Sequence, residues 1–199
     1  MIRKAVNKDL SEIAKIHKDN FRDHYLGNFS EKLISYFYES FIGLDSFIVS
    51  DSESGIQGFI LGGGNVELNS RKNLFVNKYP LRYLSEIMMR PRTWYASIVK
   101  FADLLKSKLI YRKSGSHPIQ SKETFSLLSI AVAKCCQQKG VATEMFKYFE
   151  SLCPLDSFRL TVHSNNLKAI GFYEKMGMFC FSVSDKNSKG YCKVVRKTK

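Results

Sequence analysis

Six residues, Gln137-Gln138-Lys139-Gly140-Val141-Ala142, constrain this chain more than any others because of what flanks them. An apolar run, Phe125 to Ala133, precedes them and an amphipathic stretch, Thr143 to Leu152, follows, so the segment reads as strand, tight loop and helix. The first four N–H groups of an α-helix have no partner inside it, and the helix dipole places partial positive charge there. Such a loop suits an anion, a phosphate above all. Gly140 lets the backbone approach closely, Ala142 keeps the next position open, and Lys139 adds charge at the rim. A plain turn that happens to use a glycine is the competing reading, and these six residues alone do not separate the two.

About twenty-five residues on, Leu160 to Phe179 again runs strand, loop, helix, strand, through Asn166-Leu167-Lys168-Ala169-Ile170-Gly171-Phe172-Tyr173-Glu174-Lys175-Met176-Gly177. The two segments together resemble the acyl-CoA-binding half of the GNAT (Gcn5-related) N-acetyltransferases, in which Gln/Arg-x-x-Gly-x-Gly/Ala is followed by Asn-x-x-Ala-x-x-x-Tyr-Glu-Lys-x-Gly-Phe. The match lies at Gln137, Gly140 and Ala142, then at Asn166, Ala169, Tyr173, Glu174, Lys175 and Gly177, with Met178 in place of the usual Phe. It spans about Phe125 to Val183.

That resemblance implies acetyl-CoA as cofactor and transfer of its acetyl group to an amine. It also implies that the strand around Leu127 to Val132 splays from its neighbour, leaving backbone groups of Ile130, Ala131 and Val132 for the pantetheine arm. Gln137, Gln138, Lys139, Gly140, Val141, Ala142 and Thr143 are then expected at the pyrophosphate, Asn166 and Ala169 at the cofactor arm, and Tyr173 at the sulfur as general acid. Each position has a duller rival. Tyr173 also fits a helix tyrosine packed beside Phe172, and Asn166 fits a helix N-cap, a role compatible with touching a ligand. Many relatives carry a carboxylate on the strand before the phosphate loop, whereas Phe125 to Ala133 has none. The candidates for general base are therefore Glu123, just ahead of that strand, and His163, at the end of the next, because imidazole titrates near neutrality. His163 also fits a structural histidine. Cys135 and Cys136 allow a covalent acyl-cysteine route, but direct attack by the amine is the family's usual one.

The remaining chain fits around this half. The 199 residues suit one domain, 1–199. The resemblance gives it a mixed α/β (α+β) fold, in which a mixed, mostly antiparallel sheet of about seven strands is flanked by helices in the order β-α-α-β-β, insertion, β-α-β-α-β-β. Ile2 to Val6 alternates as a first strand, and Asn7 or Asp9 caps a helix that places Leu10, Ile13, Ile16 or His17, and Phe21 on one face. Ser30 starts a second helix with the stripe Leu33, Ile34, Phe37 and Phe41. Phe47 to Ser50 and Ile56 to Leu61 read as a hairpin, and Gly62-Gly63-Gly64 as a flexible strand exit with no helix opening after it. The insertion, about 66–122, is too long for a loop without structure of its own. Leu81 to Met89 is expected as one short helix before Pro91, and Trp94 to Tyr111 as another, packed on the core or resting on a membrane surface.

Charge bears on partners. The net charge is +13, and between Ser70 and Lys122 stand twelve basic residues against Glu86 and Asp103. A region of one sign concentrates anionic partners and repels a polyamine or aminoglycoside. The expected acceptor is the primary amine of a small anionic molecule, a nucleotide-linked amino sugar foremost, with a peptide amino terminus as the alternative. A module of another class, binding acyl-CoA without turnover or binding membrane or nucleic acid through its basic insertion, is the remaining alternative. Nucleic acid is disfavoured because no aromatic-basic RNA-binding signature is present. The N-terminus has no secretory h-region and no stretch approaches the ~20 apolar residues of a spanning helix, which predicts a cytoplasmic protein. Five cysteines without paired spacing read as reduced thiols, and four scattered histidines support no metal site. The oligomeric state is left open.

Overall fold

The computed structural model describes residues 1–22, 24–90, 123–184 and 188–195. Seven strands, β1 (Ile2–Lys4), β2 (Phe47–Ser52), β3 (Gly55–Gly64), β4 (Phe125–Val132), β5 (Ser157–His163), β6 (Phe179–Ser184) and β7 (Ser188–Val194), form one open sheet in the order β1-β2-β3-β4-β5-β7-β6. Every neighbouring pair is antiparallel except β4 and β5. Period-two alternation sorts the side chains between two cores. Phe47, Val49, Phe59 and Leu61 turn to one face, beneath α1 (Leu10–Asn20), α2 (Glu31–Glu39) and α3 (Asn65–Lys78). Ile48, Ile60, Leu127 and Phe158 turn to the other, beneath α5 (Val141–Ser151) and α6 (Leu167–Lys175). A short helix, α4 (Pro80–Met88), follows α3 and is tied to the start of α2, where the Ser30 N–H donates to the Glu86 carboxylate at 2.8 Å.

The expected element order and the stripes of the flanking helices hold. Ser30 caps α2, its hydroxyl accepting from the Leu33 N–H. Asp9 precedes α1, but its carboxylate makes no cap bond there. It instead accepts from Arg3 at 2.7 and 2.8 Å and from the Val6 N–H, because a guanidinium fork outbids a single backbone donor.

Burial by itself would raise the pKa of Asp9, yet the Arg3 hydrogen bonds and the Val6 N–H outweigh it and hold the carboxyl below its ordinary 3.8. A depressed carboxylate contributes stability that is present above the unfolded value and disappears as pH falls through the folded one. Asp9→Asn should therefore cost about 1–3 kcal/mol near neutrality, since Arg3 is partly solvated, and this deficit should shrink below pH 3.8. Urea denaturation across pH 3 to 7 measures it, and a deficit that grows on acidification contradicts the assignment.

The triple glycine departs from expectation. β3 runs through Gly64, and α3 opens at the next residue, so a helix does begin there. Periodicity hid α3 because only Leu68 and Phe75 are buried along it, a seam too narrow to register as an apolar face. The glycines serve close approach rather than flexibility. A Cβ on Gly62 would sit 2.4 Å from the Phe149 ring, and one on Gly58 would sit 2.8 Å from Met145 Cε, so the missing side chains are what let α5 lie on the sheet. The helix expected at Trp94 to Tyr111, with most of the insertion's basic residues, lies outside the described residues.

Candidate active site

β4 and β5 pair only at their beginnings, Phe125 with Phe158 and Ser126 with Arg159. Beyond those two rungs the parallel strands part, so from Leu127 to Val132 the edge of β4 turned towards β5 is unpaired with it. An unpaired strand edge is a row of backbone donors and acceptors in search of a partner. The wedge opens into a groove of about 1340 Å³, walled by Leu127 to Val132 on one side and Leu160 to His163 on the other.

At one end of the groove, a 3-10 turn, Lys134–Cys136, leads from β4 into the glycine loop. Gln138 and Gly140 adopt left-handed backbone, with φ of 61° and 85°. Gly140 is the N-cap of α5, no side chain caps it, and nothing lies within 4 Å of where its Cβ would be. The amino end of α5 is thus open towards the groove, with Val141, Ala142 and Thr143 in its wall. Lys139 is exposed at the rim and does not line it.

Gln137 is a strut. Its Nε2 donates to Asn20 Oδ1 at 3.1 Å and to the Val132 carbonyl, and its Oε1 accepts from Lys168 at 3.0 Å. One side chain so ties the loop to α1 and to α6.

On the α6 side, Asn166 caps the helix, its Oδ1 accepting from the Ala169 N–H at 3.1 Å, and both residues line the groove. Tyr173 does too. It is buried among Phe146, Phe172 and Tyr191, and that burial pushes its phenol well above the ordinary 10.0, so the hydroxyl keeps its proton at neutral pH. His163 lines the groove too, in edge contact with His24 at 5.1 Å between centroids. Glu123 does not line the groove and instead stands beside Gly64, ahead of β4.

The far end is built by α1, α2, α3 and α4. Tyr25, Phe37, Phe75 and Tyr83 supply aromatic walls, with Asn69, Lys72 and Asn73 of α3 beside them. Partial burial lowers the pKa of the Lys72 ammonium, and no carboxylate pairs with it among the described residues. His17, a core-facing helix position by its spacing, also lines the groove. Its Nδ1 shares a 2.7 Å hydrogen bond with the Tyr38 hydroxyl, which meets Ser129 Oγ of β4 at 3.0 Å, while its buried Nε2 has no partner among the described residues. Burial, followed by the neighbouring His24, lowers the His17 pKa to about 4, so this imidazole is neutral at physiological pH.

Parted parallel strands, an open helix N-terminus behind a left-handed glycine and a buried tyrosine thus share one groove. The sequence model of the acetyltransferase (GNAT) family matches residues 105–178, whose described part, from residue 123 on, builds this half of the groove. Over that stretch the chain is similar to the GNAT acetyltransferases.

No curated protein matches the sequence. Several solved structures share the fold over nearly all of the chain. Ard1 from Thermoplasma volcanium is 19% identical with a TM-score of 0.58, covering 99% of this chain and 98% of its own. Chaetomium thermophilum Naa20, in complex with a bisubstrate analogue, is 16% identical at 0.55, covering 98% and 86%. An N-acetyltransferase from Staphylococcus aureus Mu50 is 15% identical at 0.61, covering 96% and 98%. At such identities the likeness is one of fold.

GNAT acetyltransferases use acetyl-CoA, and the residues present suit it. The loop has room where a Cβ would obstruct a diphosphate, β4 offers free backbone groups for an amide-bearing arm, and the groove of about 1340 Å³ extends from that loop to the far end. Among the described residues no helix is long and apolar enough to cross a membrane, and no three His, Cys, Asp or Glu side chains gather to hold a metal.

Proposed function

We propose that this GNAT domain acetylates the primary amine of a small anionic acceptor, a nucleotide-linked amino sugar being the class that suits it. The observation that carries the acceptor assignment is Lys72, a half-buried cation in the groove wall with no carboxylate partner among the described residues, flanked by the amides of Asn69 and Asn73. A cation held partly out of water gains most from an anion that comes with the substrate. Bound acetyl-CoA supplies the activated acyl group as a thioester. The open amino end of α5 binds diphosphate, and the unpaired edge of β4, from Ile130 to Val132, orients the arm and offers an N–H to the thioester oxygen. Tyr173 holds the proton that the departing thiolate needs. His163, in edge contact with His24, accepts the proton that the amine must lose.

A second reading, the amino terminus of a peptide, rests on the aromatic walls at the far end, where Tyr25, Phe37, Phe75 and Tyr83 would take an apolar first side chain. Thiol release from acetyl-CoA with nucleotide-linked amino sugars, short peptides and polyamines separates the two. The amino sugars should turn over fastest, and Lys72→Gln should raise their KM about tenfold or more with little change in kcat, the loss of one charge-assisted contact. Fastest turnover on uncharged peptides, indifferent to Lys72→Gln, would instead establish the second reading.

A further inference from the structure

Two thiols that the transfer chemistry leaves unused sit at the mouth of the coenzyme groove. Cys135 and Cys136 are consecutive on the 3-10 turn between β4 and the glycine loop, and their sulfurs lie 3.6 Å apart. Cys135 is exposed and Cys136 is in the groove wall. The turn is held by its own backbone, the Cys136 N–H donating to the Ala133 carbonyl at 2.8 Å. The remaining cysteines are scattered: Cys153 is buried after α5, Cys180 is exposed on β6 and Cys192 is buried on β7.

The separation of the sulfurs selects what can join them. A disulfide needs an S–S distance of about 2.0 Å, so the pair would have to close by roughly 1.5 Å within one tight turn. A single soft atom between the sulfurs needs no such closure. Zinc would require further ligands, and no third His, Cys, Asp or Glu gathers with the pair among the described residues. A trivalent arsenic centre carrying one organic substituent has two exchangeable positions and asks for two thiols only.

We propose that Cys135 and Cys136 form a vicinal dithiol site that captures trivalent arsenicals, and that the adduct obstructs the coenzyme groove. Two As–S bonds form and two As–O bonds of the arsonous acid break, and each thiol proton leaves with a hydroxyl as water. Arsenic stays trivalent, so no oxidant or reductant is needed. The second As–S bond closes within the turn, so its effective concentration is set by the fold and the chelate resists a competing monothiol. The substituent projects from Cys136 into the wall beside Gln137, Gly140 and Val141. The hydrogen bond with Cys135 raises the Cys136 pKa, which keeps the Cys136 thiol protonated and slow towards alkylating agents that require thiolate.

The test uses the reduced full chain and phenylarsine oxide. Intact mass should show one adduct, stable to a monothiol and removed by a dithiol such as 2,3-dimercaptopropanol. Cys135→Ser should abolish that stability while keeping its activity within about twofold of the parent, since Cys135 lies outside the groove wall. The adduct should bind coenzyme A at least about tenfold more weakly by calorimetry. Failure of the adduct to form, or a stable adduct in Cys135→Ser, overturns the capture site. A stable adduct with unchanged coenzyme affinity overturns the obstruction. The obstruction arm rests on the acetyl-CoA reading of the loop. Unmodified protein that binds no coenzyme A would sink that reading, while the mass measurement would still decide the dithiol.

Discussion

Tyr173→Phe is expected to lower kcat by about two to four orders of magnitude while leaving the affinity for coenzyme A within about twofold of the parent. The side chain is buried in the wall of the groove, so removing one oxygen leaves the packing against Phe146, Phe172 and Tyr191 intact. What disappears is the only proton that this residue can offer a thiolate. Burial holds the phenol above its ordinary 10.0, so the parent's rate should stay flat on the alkaline side until well past pH 10, as far as the fold survives. A rate that falls near pH 9 would assign the acid to another group. Stopped-assay thiol release and calorimetry on the same preparation separate the two effects, and a Phe variant with undiminished kcat refutes the role of Tyr173.

Phe149→Ala should destabilise the fold by about 3–5 kcal/mol, a large part of the total stability of a domain this size. Phe149 is fully buried on α5 and lies between Phe125 and Phe158, the residues whose pairing forms the root of the strand split. Its ring also occupies the space that the absence of a side chain at Gly62 creates. Gly62→Ala should be destabilising for the opposite reason, by about 1–3 kcal/mol, because its Cβ meets that ring and the Ser126 carbonyl at 2.6 Å. In the double variant the ring clash is relieved while the clash with the carbonyl remains. The two costs should fall short of additivity by about 0.5–2 kcal/mol. Urea midpoints at constant m measure the set, and strict additivity would show that Gly62 and Phe149 do not share that space.

Much of this was present in the chain before any folding. Gln137 to Ala142 and Asn166 to Tyr173 are local segments, each coding a strand-loop-helix unit whose conformation depends on neighbours a few residues away. The amphipathic faces of α1, α2 and α5 likewise follow from spacing alone. Gln137 was the exception within a recognised motif. It bonds Asn20, 117 positions earlier in the chain, and becomes a brace between α1 and α6.

Periodicity marked most of the elements, and the resemblance carried by Gln137 to Ala142 and Asn166 to Gly177 implied their order and the half of the groove expected to meet the coenzyme. Only the tertiary structure decided which side chains furnish the other half. It brought Lys72, whose helix carries too narrow an apolar seam to be read, and His24, from a loop, to the same groove as His163, and it left Glu123 outside. The reason is physical. Local pattern reports which face of an element avoids water, whereas an acceptor site is assembled across elements far apart in sequence, by packing that no short window contains.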